Sequence, residues 1–377
     1  MKLIRKILTL MLMFFGCNSP SDSMGSLVVK SALYPTDNYC YDIDLNDDTI
    51  VLASYYGGYY KYSYELGLDG FPIITPVIEG ANNHNLDLYN DSIDKVEILN
   101  DGLIYMLDRH FGGSSGVWID NSNGAPVSPE NLSAQYCVQG NYLDIAVDDS
   151  RELVHDLYSL MKHTSYDETN SSDPVFKEYS TSLVKREVAV IADYNGDVIS
   201  SVDLVVPDCT FLKTLNYDSS DVECFGEKVA VVSESEGITV FEKDDGGDLV
   251  NLFQQESAFK INLAGGQAQS VLVIEDAVIG GFSNDRGCYM ALLGSDSAST
   301  VNLFFGEGYS VRDIAYDNGL IALASGSDGI QIYQWDGGDS VIPFGSIETD
   351  YAYSVKLKGS LVFVATRLGL EIYKIGI

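Results

Sequence analysis

Polar and apolar residues alternate over short stretches that repeat along the chain. Residues 311–333 and 354–373 share one order of features: an alternating stretch, a tight turn, a second apolar stretch, a glycine-marked turn and a third stretch. In the third stretch, Ile330 and Ile332 fall on one side and Gln331 on the other. A period of two is typical of a half-buried β-strand. The pattern therefore predicts repeated units of antiparallel strands.

The same unit recurs upstream, with spacing that indicates one architecture. The predicted first strands of the units end at Leu45, Leu99, Val147, Phe225, Ile274, Tyr316 and Lys358. These positions give seven units with a basic length of about forty residues, which is the length of a four-stranded propeller blade. We therefore expect an all-β fold, a seven-bladed β-propeller of four-stranded antiparallel blades.

The two ends of the chain predict how the last blade is completed. The final unit stops after its third strand, and residues 26–33 form a short β-forming segment ahead of the first unit. Pairing this segment into the last blade would cover an open strand edge, so we expect the N-terminal strand to close that blade. The propeller then spans residues 26–377. A weaker unit at 143–160 is followed by a predicted polar insertion at about 162–185, which we expect to be a loop, with the third strand at 187–192.

The first seventeen residues form a separate segment. Lys2, Arg5 and Lys6 precede an apolar run that ends at Gly16 and Cys17, a pattern typical of a signal peptide. The ending resembles the lipobox of bacterial lipoproteins, although Phe14 stands where leucine is usual. This resemblance implies that Cys17 is acylated and that residues 18–25 form a flexible tether. The expected location is the bacterial cell envelope, at the outer membrane or cell surface, with membrane contact through the lipid only. Without acylation of Cys17, the chain would be secreted.

Two repeat units also carry a family resemblance. Residues 320–333 and 361–373 resemble the LVIVD repeat of bacterial and archaeal surface propellers, and the likeness extends over nearly the whole mature chain. The chain departs from that pattern at Tyr333 and Tyr373, which follow the apolar run where the family often has aspartate. The resemblance implies a propeller lipoprotein on the cell surface.

Net charge limits the classes of partner, and cysteine spacing limits metal binding and disulfide formation. The chain has 55 Asp and Glu against 22 Lys and Arg, a net charge of −33, which excludes nucleic acid as a natural partner. No cysteine pair has metal-ligand spacing. Cys209 and Cys224 are close enough in sequence to bridge neighbouring strands, but scattered buried thiols are the favoured interpretation.

Catalytic and metal-binding signatures are missing from the sequence. The four histidines have no metal-site spacing, and we interpret His110 and His155 as loop or surface residues. Nucleophile-elbow, phosphate-loop and dinucleotide-binding motifs are also missing. Residues 193–197 match a calcium loop only in part, and a solvated hairpin turn is the favoured interpretation. We predict no cofactor, with calcium as the one ion that the acidic pattern suggests.

Ligands of propellers usually bind at the mouth of the central channel, where the innermost strands begin. The residues predicted at these positions are Tyr41, Asp42, Lys95, Asp144, Asp221, Arg312, Asp313 and Tyr353. They would hold a polar ligand or peptide, or else satisfy one another and water. The 25 tyrosines suit burial between blades, but exposed they would form a patch for carbohydrate or protein.

The sequence thus favours a binding module over an enzyme. Our primary hypothesis is a non-catalytic cell-envelope propeller of scaffold or adhesion type that binds a protein or polysaccharide. The alternative is a calcium-dependent hydrolase or lactonase with its site at the channel mouth. Converging carboxylates would favour the alternative, and dispersed ones the binding module.

Overall fold

The computed structural model describes twelve segments of the chain: 27–79, 93–108, 116–121, 141–151, 154–166, 176–189, 210–215, 219–233, 237–243, 249–251, 266–293 and 302–376. The predicted signal peptide, the tether and Cys17 lie outside these residues. No helix within the described segments is long and apolar enough to cross a membrane.

Twenty-seven strands and a single short 3-10 turn make up the described structure. The first half of the chain contains β1 (Val28–Pro35), β2 (Asp42–Leu45), β3 (Thr49–Ser54), the 3-10 turn (Tyr55–Gly57), β4 (Gly58–Leu66), β5 (Pro72–Glu79), β6 (Ile93–Ile98), β7 (Leu103–Asp108), β8 (Gly116–Asn121), β9 (Asn141–Arg151), β10 (Val154–Tyr166), β11 (Phe176–Ala189) and β12 (Thr210–Leu215). The second half contains β13 (Ser219–Phe225), β14 (Lys228–Ser233), β15 (Gly237–Lys243), β16 (Leu249–Asn251), β17 (Ala268–Ile274), β18 (Ala277–Phe282), β19 (Gly287–Leu292), β20 (Asn302–Phe305), β21 (Asp313–Asp317), β22 (Leu320–Ala324), β23 (Ile330–Trp335), β24 (Val341–Ile347), β25 (Ala352–Lys358), β26 (Leu361–Thr366) and β27 (Gly369–Ile375).

The strands form antiparallel sheets that follow one another along the chain. Five four-stranded sheets are β2–β5, β9–β12, β13–β16, β17–β20 and β21–β24, and the sheet β6–β8 has three described strands. In the last sheet, the order is β1-β27-β26-β25, so the N-terminal strand lies beside the C-terminal one. Leu33 is opposite Glu371 in this pairing, and the main-chain N–H of Gly376 donates to the carbonyl of Leu27 at 2.9 Å.

The second strand of the sheets is apolar because both sides of it are covered. Every described side chain of β7, β18, β22 and β26 is buried, including the run Leu361–Thr366. One cluster joins Ile332 to Val355 and Val364 of the next sheet, and another joins Ile279 to Leu323. Each buried aliphatic side chain contributes roughly 1.5–3 kcal/mol. Burial between consecutive sheets is therefore the main stabilising contact.

Neighbouring sheets approach so closely at β18 that glycine is required. A Cβ atom on Gly281 would lie 2.7 Å from Cγ1 of Val311, and one on Gly280 would lie 1.9 Å from Cδ1 of Ile238. A side chain at Gly281 would clash with Val311, and one at Gly280 would displace the end of the Ile238 side chain. This glycine pair therefore allows a close approach between neighbouring sheets.

The predicted insertion at 162–185 differs from the observed structure. Most of this range is strand, since β10 continues to Tyr166 and β11 begins at Phe176, rather than at residue 187. Pairing with β9 ends at Lys162, and pairing with β12 begins at Thr181, so the hairpin continues beyond its neighbours as a two-stranded ribbon. A ribbon with no sheet on either side does not need alternating apolar residues. The polar sequence therefore suggested a loop.

Removal of β1 tests how much the N-terminal strand contributes. We expect a chain that starts at Thr36 to lose at least about 3 kcal/mol of unfolding free energy, because its backbone hydrogen bonds contribute about 1 kcal/mol each and packing of Ala32 and Tyr34 is also lost. The bare edge of β27 should also promote self-association. Urea unfolding and size-exclusion chromatography measure both effects.

The matched control starts at Leu27 and keeps β1. It should unfold like the chain that starts at Asn18. Equal stability of the Thr36 and Leu27 versions would show that the β1–β27 pairing is dispensable.

Candidate functional site

The first strands of the sheets place polar side chains in one continuous array. Each of β2, β6, β9, β13, β17, β21 and β25 is the edge strand of its sheet and lies against the first strands of the sheets before and after it. We call the side of the molecule where these strands begin the upper face. The turns between second and third strands lie on the same face, because the paired strands are antiparallel.

β-Bulges near the start of several first strands determine which side chains belong to this array. The register between first and second strands shifts just before Lys95, Asp221 and Ser354. The residue before each of these, such as Tyr353, is the extra residue of the bulge and lies nearer the upper face. Bulges redirect side chains in this way and are common beside functional sites.

Polar residues of the first strands form what we call the acidic belt. Its members are Asp42, Asp44, Lys95, Glu97, Asp144, Asp221, Glu223, Asp313 and Lys356. Seven are carboxyl side chains and two are lysines. The belt is therefore a partly buried region with a large excess of potential negative charge.

Belt carboxylates accept hydrogen bonds from unpaired backbone N–H groups of the neighbouring sheet. Asp42 Oδ2 accepts from the N–H of Val96 at 3.0 Å, and Asp144 Oδ2 accepts from the N–H of Val222 at 2.7 Å. Equivalent bonds join further carboxylates to the next first strand: Asp44 to Ile98, Glu97 to Val147, Asp221 to Val271 and Asp313 to Val355. Their lengths lie between 2.8 and 2.9 Å. These N–H groups have no partner strand within their own sheet, and the carboxylates of the preceding sheet accept their hydrogen bonds.

Two lysines neutralise part of the belt. Lys95 Nζ lies 3.0 Å from Asp144 Oδ2 and 3.5 Å from Asp221 Oδ1. Lys356 Nζ lies 3.1 Å from Asp44 Oδ1. Burial alone would lower the pKa of Lys95, but Asp144 and Asp221 raise it well above its ordinary value. Both lysines therefore remain charged; the ion pairs of Lys95 join three sheets, and that of Lys356 joins two others.

Four carboxyl groups of the belt bind protons unusually tightly. Burial raises the pKa of Asp42 to about 6 and that of Glu223 to about 7, in each case against the opposing effect of Lys95. Burial also raises the pKa of Asp221 and of Glu97 well above the ordinary carboxyl range. The belt consequently takes up protons as the pH falls towards 6.

Ser354 links two of these carboxyl groups. Its Oγ lies 2.9 Å from Asp42 Oδ1 and 2.6 Å from Asp313 Oδ2. A hydroxyl group has one proton, so it donates to one carboxyl oxygen and can bond the other only as an acceptor. The second bond forms when a carboxyl group is protonated, and Asp42 takes up that proton below about pH 6.

Above the belt lies a group of aromatic and basic side chains that we call the tyrosine–arginine patch. Its members are Tyr39, Tyr41, Tyr55, Tyr351, Tyr353, Arg312 and Arg367. The ring centroids of Tyr41 and Tyr353 are 4.7 Å apart, as are those of Tyr351 and Tyr353. Tyr39 is 51% exposed and Tyr41 is 37% exposed. The rings thus form a connected surface that solvent reaches.

Both arginines of the patch pack on the same ring. Arg367 Cζ lies 4.2 Å from the centroid of Tyr351, and Arg312 Cζ lies 5.2 Å from it. Arg367 Nε also donates to the hydroxyl oxygen of Tyr353 at 3.5 Å. Neither guanidinium group forms an ion pair with a carboxylate among the described residues. The patch therefore combines cations with aromatic faces.

The eight residues predicted at the channel mouth all lie in these two layers. Tyr41, Arg312 and Tyr353 belong to the patch, and the belt includes the other five, Asp42, Lys95, Asp144, Asp221 and Asp313. Sequence reasoning did not find the remaining patch residues, because they come from turns and loops outside the first strands. Arg367 follows β26, and Tyr55 follows β3. Tyr351 precedes β25, two residues before Tyr353, and that spacing was the one available signal.

The prediction that His155 is a loop or surface residue is wrong. His155 lies in β10 and is 4% exposed. Its Nδ1 lies 2.9 Å from the hydroxyl of Tyr105, and its Nε2 lies 3.2 Å from Asp101 Oδ2. These two partners satisfy both ring nitrogens between the sheets β6–β8 and β9–β12. A polar residue within an apolar strand was therefore a sign of a buried contact.

The potential metal ligands of the described residues form no metal site, and their thiols form no disulfide. Within these segments, no three His, Cys, Asp or Glu side chains are placed to hold a metal ion. Cys40, Cys224 and Cys288 have free thiols, while Cys209 lies outside the described segments. The partial calcium motif at 193–197 also lies outside them, as do His84 and His110.

Comparison with solved structures shows a propeller-like all-β fold. The WD40 β-propeller domain of Doa1 aligns with 92% of this chain and 96% of its own, with 12% identity and a TM-score of 0.55. A chain of the Mitotic Checkpoint Complex aligns over 96% of both chains, with 9% identity and a TM-score of 0.57. No family model and no curated protein matches the sequence. At such low identity, the likeness establishes the fold alone.

Substitution of Lys95 tests the electrostatics of the belt. We expect Lys95→Met to reduce the free energy of unfolding by about 3–5 kcal/mol at pH 7.5, because Asp144 and Asp221 lose their buried counter-charge. Urea unfolding measures the change. Lys228→Met is the control, since Lys228 contacts only an exposed carbonyl, and its effect should stay within about 0.5 kcal/mol. Equal effects of the two substitutions would contradict the assigned role of Lys95.

The raised carboxyl pKa values predict how stability depends on pH. The carboxyl groups of Asp42 and Glu223 have ordinary pKa values of 3.8 and 4.5 in the unfolded chain, whereas burial raises them to about 6 and about 7 in the folded one. The folded chain therefore binds more protons than the unfolded chain between about pH 4 and 7, and its stability falls as the pH rises through that window. Thermal unfolding should give a higher Tm at pH 5.5 than at pH 8.

Glu223→Gln should reduce this pH dependence. Glu227→Gln removes a carboxyl group from an exposed turn and should leave the dependence unchanged, which controls for the net charge of the chain. A Tm that increases from pH 5.5 to pH 8 in the unmodified chain would contradict the assignment.

Proposed function

We propose that the chain is a seven-bladed β-propeller with the first strands around a central channel. Seven sheets are described, and the contacts between first strands run from β2 through β6, β9, β13, β17 and β21 to β25, which lies against β2 again. β1 adds to the free edge of β27 and would close the last blade. The likeness to a WD40 propeller domain supports this proposal.

We further propose that this propeller belongs to a bacterial cell envelope and resembles the LVIVD-repeat surface propellers. The support comes from sequence: the basic start, the apolar run and the Gly16-Cys17 ending. In this proposal residues 1–17 direct export, Cys17 carries lipid, and residues 18–25 tether the domain. The partner would then be a protein or polysaccharide of the envelope.

The function that the site supports best is non-catalytic binding of such a partner at the tyrosine–arginine patch. The observation that carries this proposal is the connected ring surface of Tyr39, Tyr41 and Tyr353, with Arg367 beside it, where the first strands begin. Tyrosine and arginine are enriched where binding energy is concentrated. Belt carboxylates such as Asp144, by contrast, already bind the neighbouring backbone and Lys95. This arrangement favours the binding module over the hydrolase alternative.

Serine substitutions at Tyr39 and Tyr41 test the proposal. We expect the double variant Tyr39→Ser/Tyr41→Ser, in the chain from Asn18 onward, to bind isolated envelopes at least about tenfold more weakly, since central aromatic contacts often contribute 2 kcal/mol or more. Its Tm should change little, because both side chains are substantially exposed. Sedimentation with envelope fractions gives the binding curve.

Phe225→Ser provides the matched control. Phe225 is 48% exposed and ends a first strand on the opposite side of the molecule. This variant should bind like the unmodified chain. Unchanged binding of the tyrosine variant, or an equal loss in both variants, would reject the patch as the binding surface.

A further inference from the structure

The arginines of the patch are cations in a strongly acidic chain. The chain has more than twice as many acidic as basic residues, yet Arg312 and Arg367 form no ion pair with any described carboxylate. Several described lysines, such as Lys95, Lys243 and Lys356, each contact a carboxylate, whereas Lys228 contacts a main-chain carbonyl. Two exposed guanidinium groups beside each other thus retain the capacity to bind an external anion.

Described residues occupy few of the hydrogen-bond donors of these two arginines. A guanidinium group has five N–H donors in a planar fork that matches a carboxylate. The contacts of Arg312 and Arg367 with described residues are the ring of Tyr351, the ring of Tyr39 and one long hydrogen bond to Tyr353. Ring packing holds the guanidinium groups in place without occupying most of their donors.

The aromatic part of the patch suits a ligand with many hydroxyl groups. All five rings are tyrosines, each with an apolar face and a polar hydroxyl. Exposed aliphatic side chains such as Ile73, Val77 and Ile342 lie instead on outer strands. Leu368 is the exposed aliphatic residue next to Arg367. Tyrosine rings can stack on the C–H faces of sugar rings while their hydroxyl groups bond to sugar hydroxyls.

The belt restricts where an anion can bind. Asp42 and Asp313 lie directly beneath the patch, joined to each other through Ser354. Their negative charge opposes the entry of an anionic group between the first strands. An anionic ligand would therefore lie across the upper face and not between the first strands. An extended polymer can do this, with its charged groups beside the arginines of the patch.

We infer that the tyrosine–arginine patch binds a carboxylate-bearing polysaccharide, with sugar rings on the tyrosines and uronate carboxylates on Arg312 and Arg367. This inference rests on the proposed function and specifies its partner. The net charge of −33 opposes such a ligand at long range. At 0.15 M ionic strength the Debye length is about 8 Å, so distant carboxylates are screened while the arginines act at contact.

Binding to defined polymers tests the inference. The chain from Asn18 onward is titrated with polygalacturonate and with alginate at about 0.15 M salt and in EDTA, which removes calcium bridges between two acidic polymers. We expect binding to at least one of them, and an affinity at least about tenfold lower for Arg312→Gln and for Arg367→Gln, since each loses a charge-assisted contact. Lysine at either position should retain an intermediate affinity, because the charge remains without the planar fork.

Two controls separate the carboxylate contact from general charge effects. Arg286→Gln removes an exposed arginine in the β18–β19 turn, on the same face but without contact to the patch, and should bind like the unmodified chain. Methyl-esterified polygalacturonate keeps the sugar rings without the charge and should bind at least about tenfold more weakly. Polyglutamate supplies the same charge on a peptide and should also bind more weakly.

Several outcomes would overturn the inference. They are failure to bind both polymers, a requirement for calcium, equal binding of the methyl ester, stronger binding of polyglutamate, and no effect of either glutamine substitution. If the Tyr39→Ser/Tyr41→Ser variant still loses envelope binding in such a case, the proposed function holds and only the ligand class is wrong. If that variant binds envelopes normally, both proposals fail.

Discussion

The structure depends on how the first strand of each sheet satisfies its unpaired edge. A strand at the edge of a sheet has N–H groups without a partner in its own sheet, and buried N–H groups left unpaired are costly. Here side-chain carboxylates of the preceding sheet accept those hydrogen bonds, as Asp42 does from Val96 and Asp144 from Val222. Bonds to a charged acceptor contribute roughly 1.5–3 kcal/mol. They also fix the position of one sheet relative to the next.

This solution concentrates negative charge in a small volume and thereby determines the electrostatics of the region. Carboxylates placed close together repel each other, and burial adds to the cost of their charged forms. The chain offsets this cost with Lys95 and Lys356 and by holding protons on groups such as Glu223, whose pKa burial raises to about 7. Belt carboxylates such as Asp42 and Asp144 thus have a structural role, since they accept hydrogen bonds from the neighbouring backbone.

The sequence predicted the repeated strands well, because their burial on both sides imposes a strict apolar pattern. The first strands end at Leu45, Phe225, Ile274 and Lys358 in the structure, as expected. The strand from Phe176 was missed, since a ribbon without neighbouring sheets has no such pattern. The channel-mouth residues were predicted from their place in the repeat. Arg367 and Tyr351 were not, because their contact depends on loops of different sheets meeting in space.

The two layers of the upper face differ in what they leave for a ligand. In the belt, a residue such as Asp313 already bonds Val355 and Ser354, so an external group would have to break existing contacts between sheets. In the patch, the rings and guanidinium groups contact mainly one another, and their outer sides face solvent. Binding at the patch therefore requires no change in the contacts between sheets. Separation of the stabilising layer from the exposed layer therefore allows the patch residues to vary without loss of the fold, whereas a change in the belt affects the fold first.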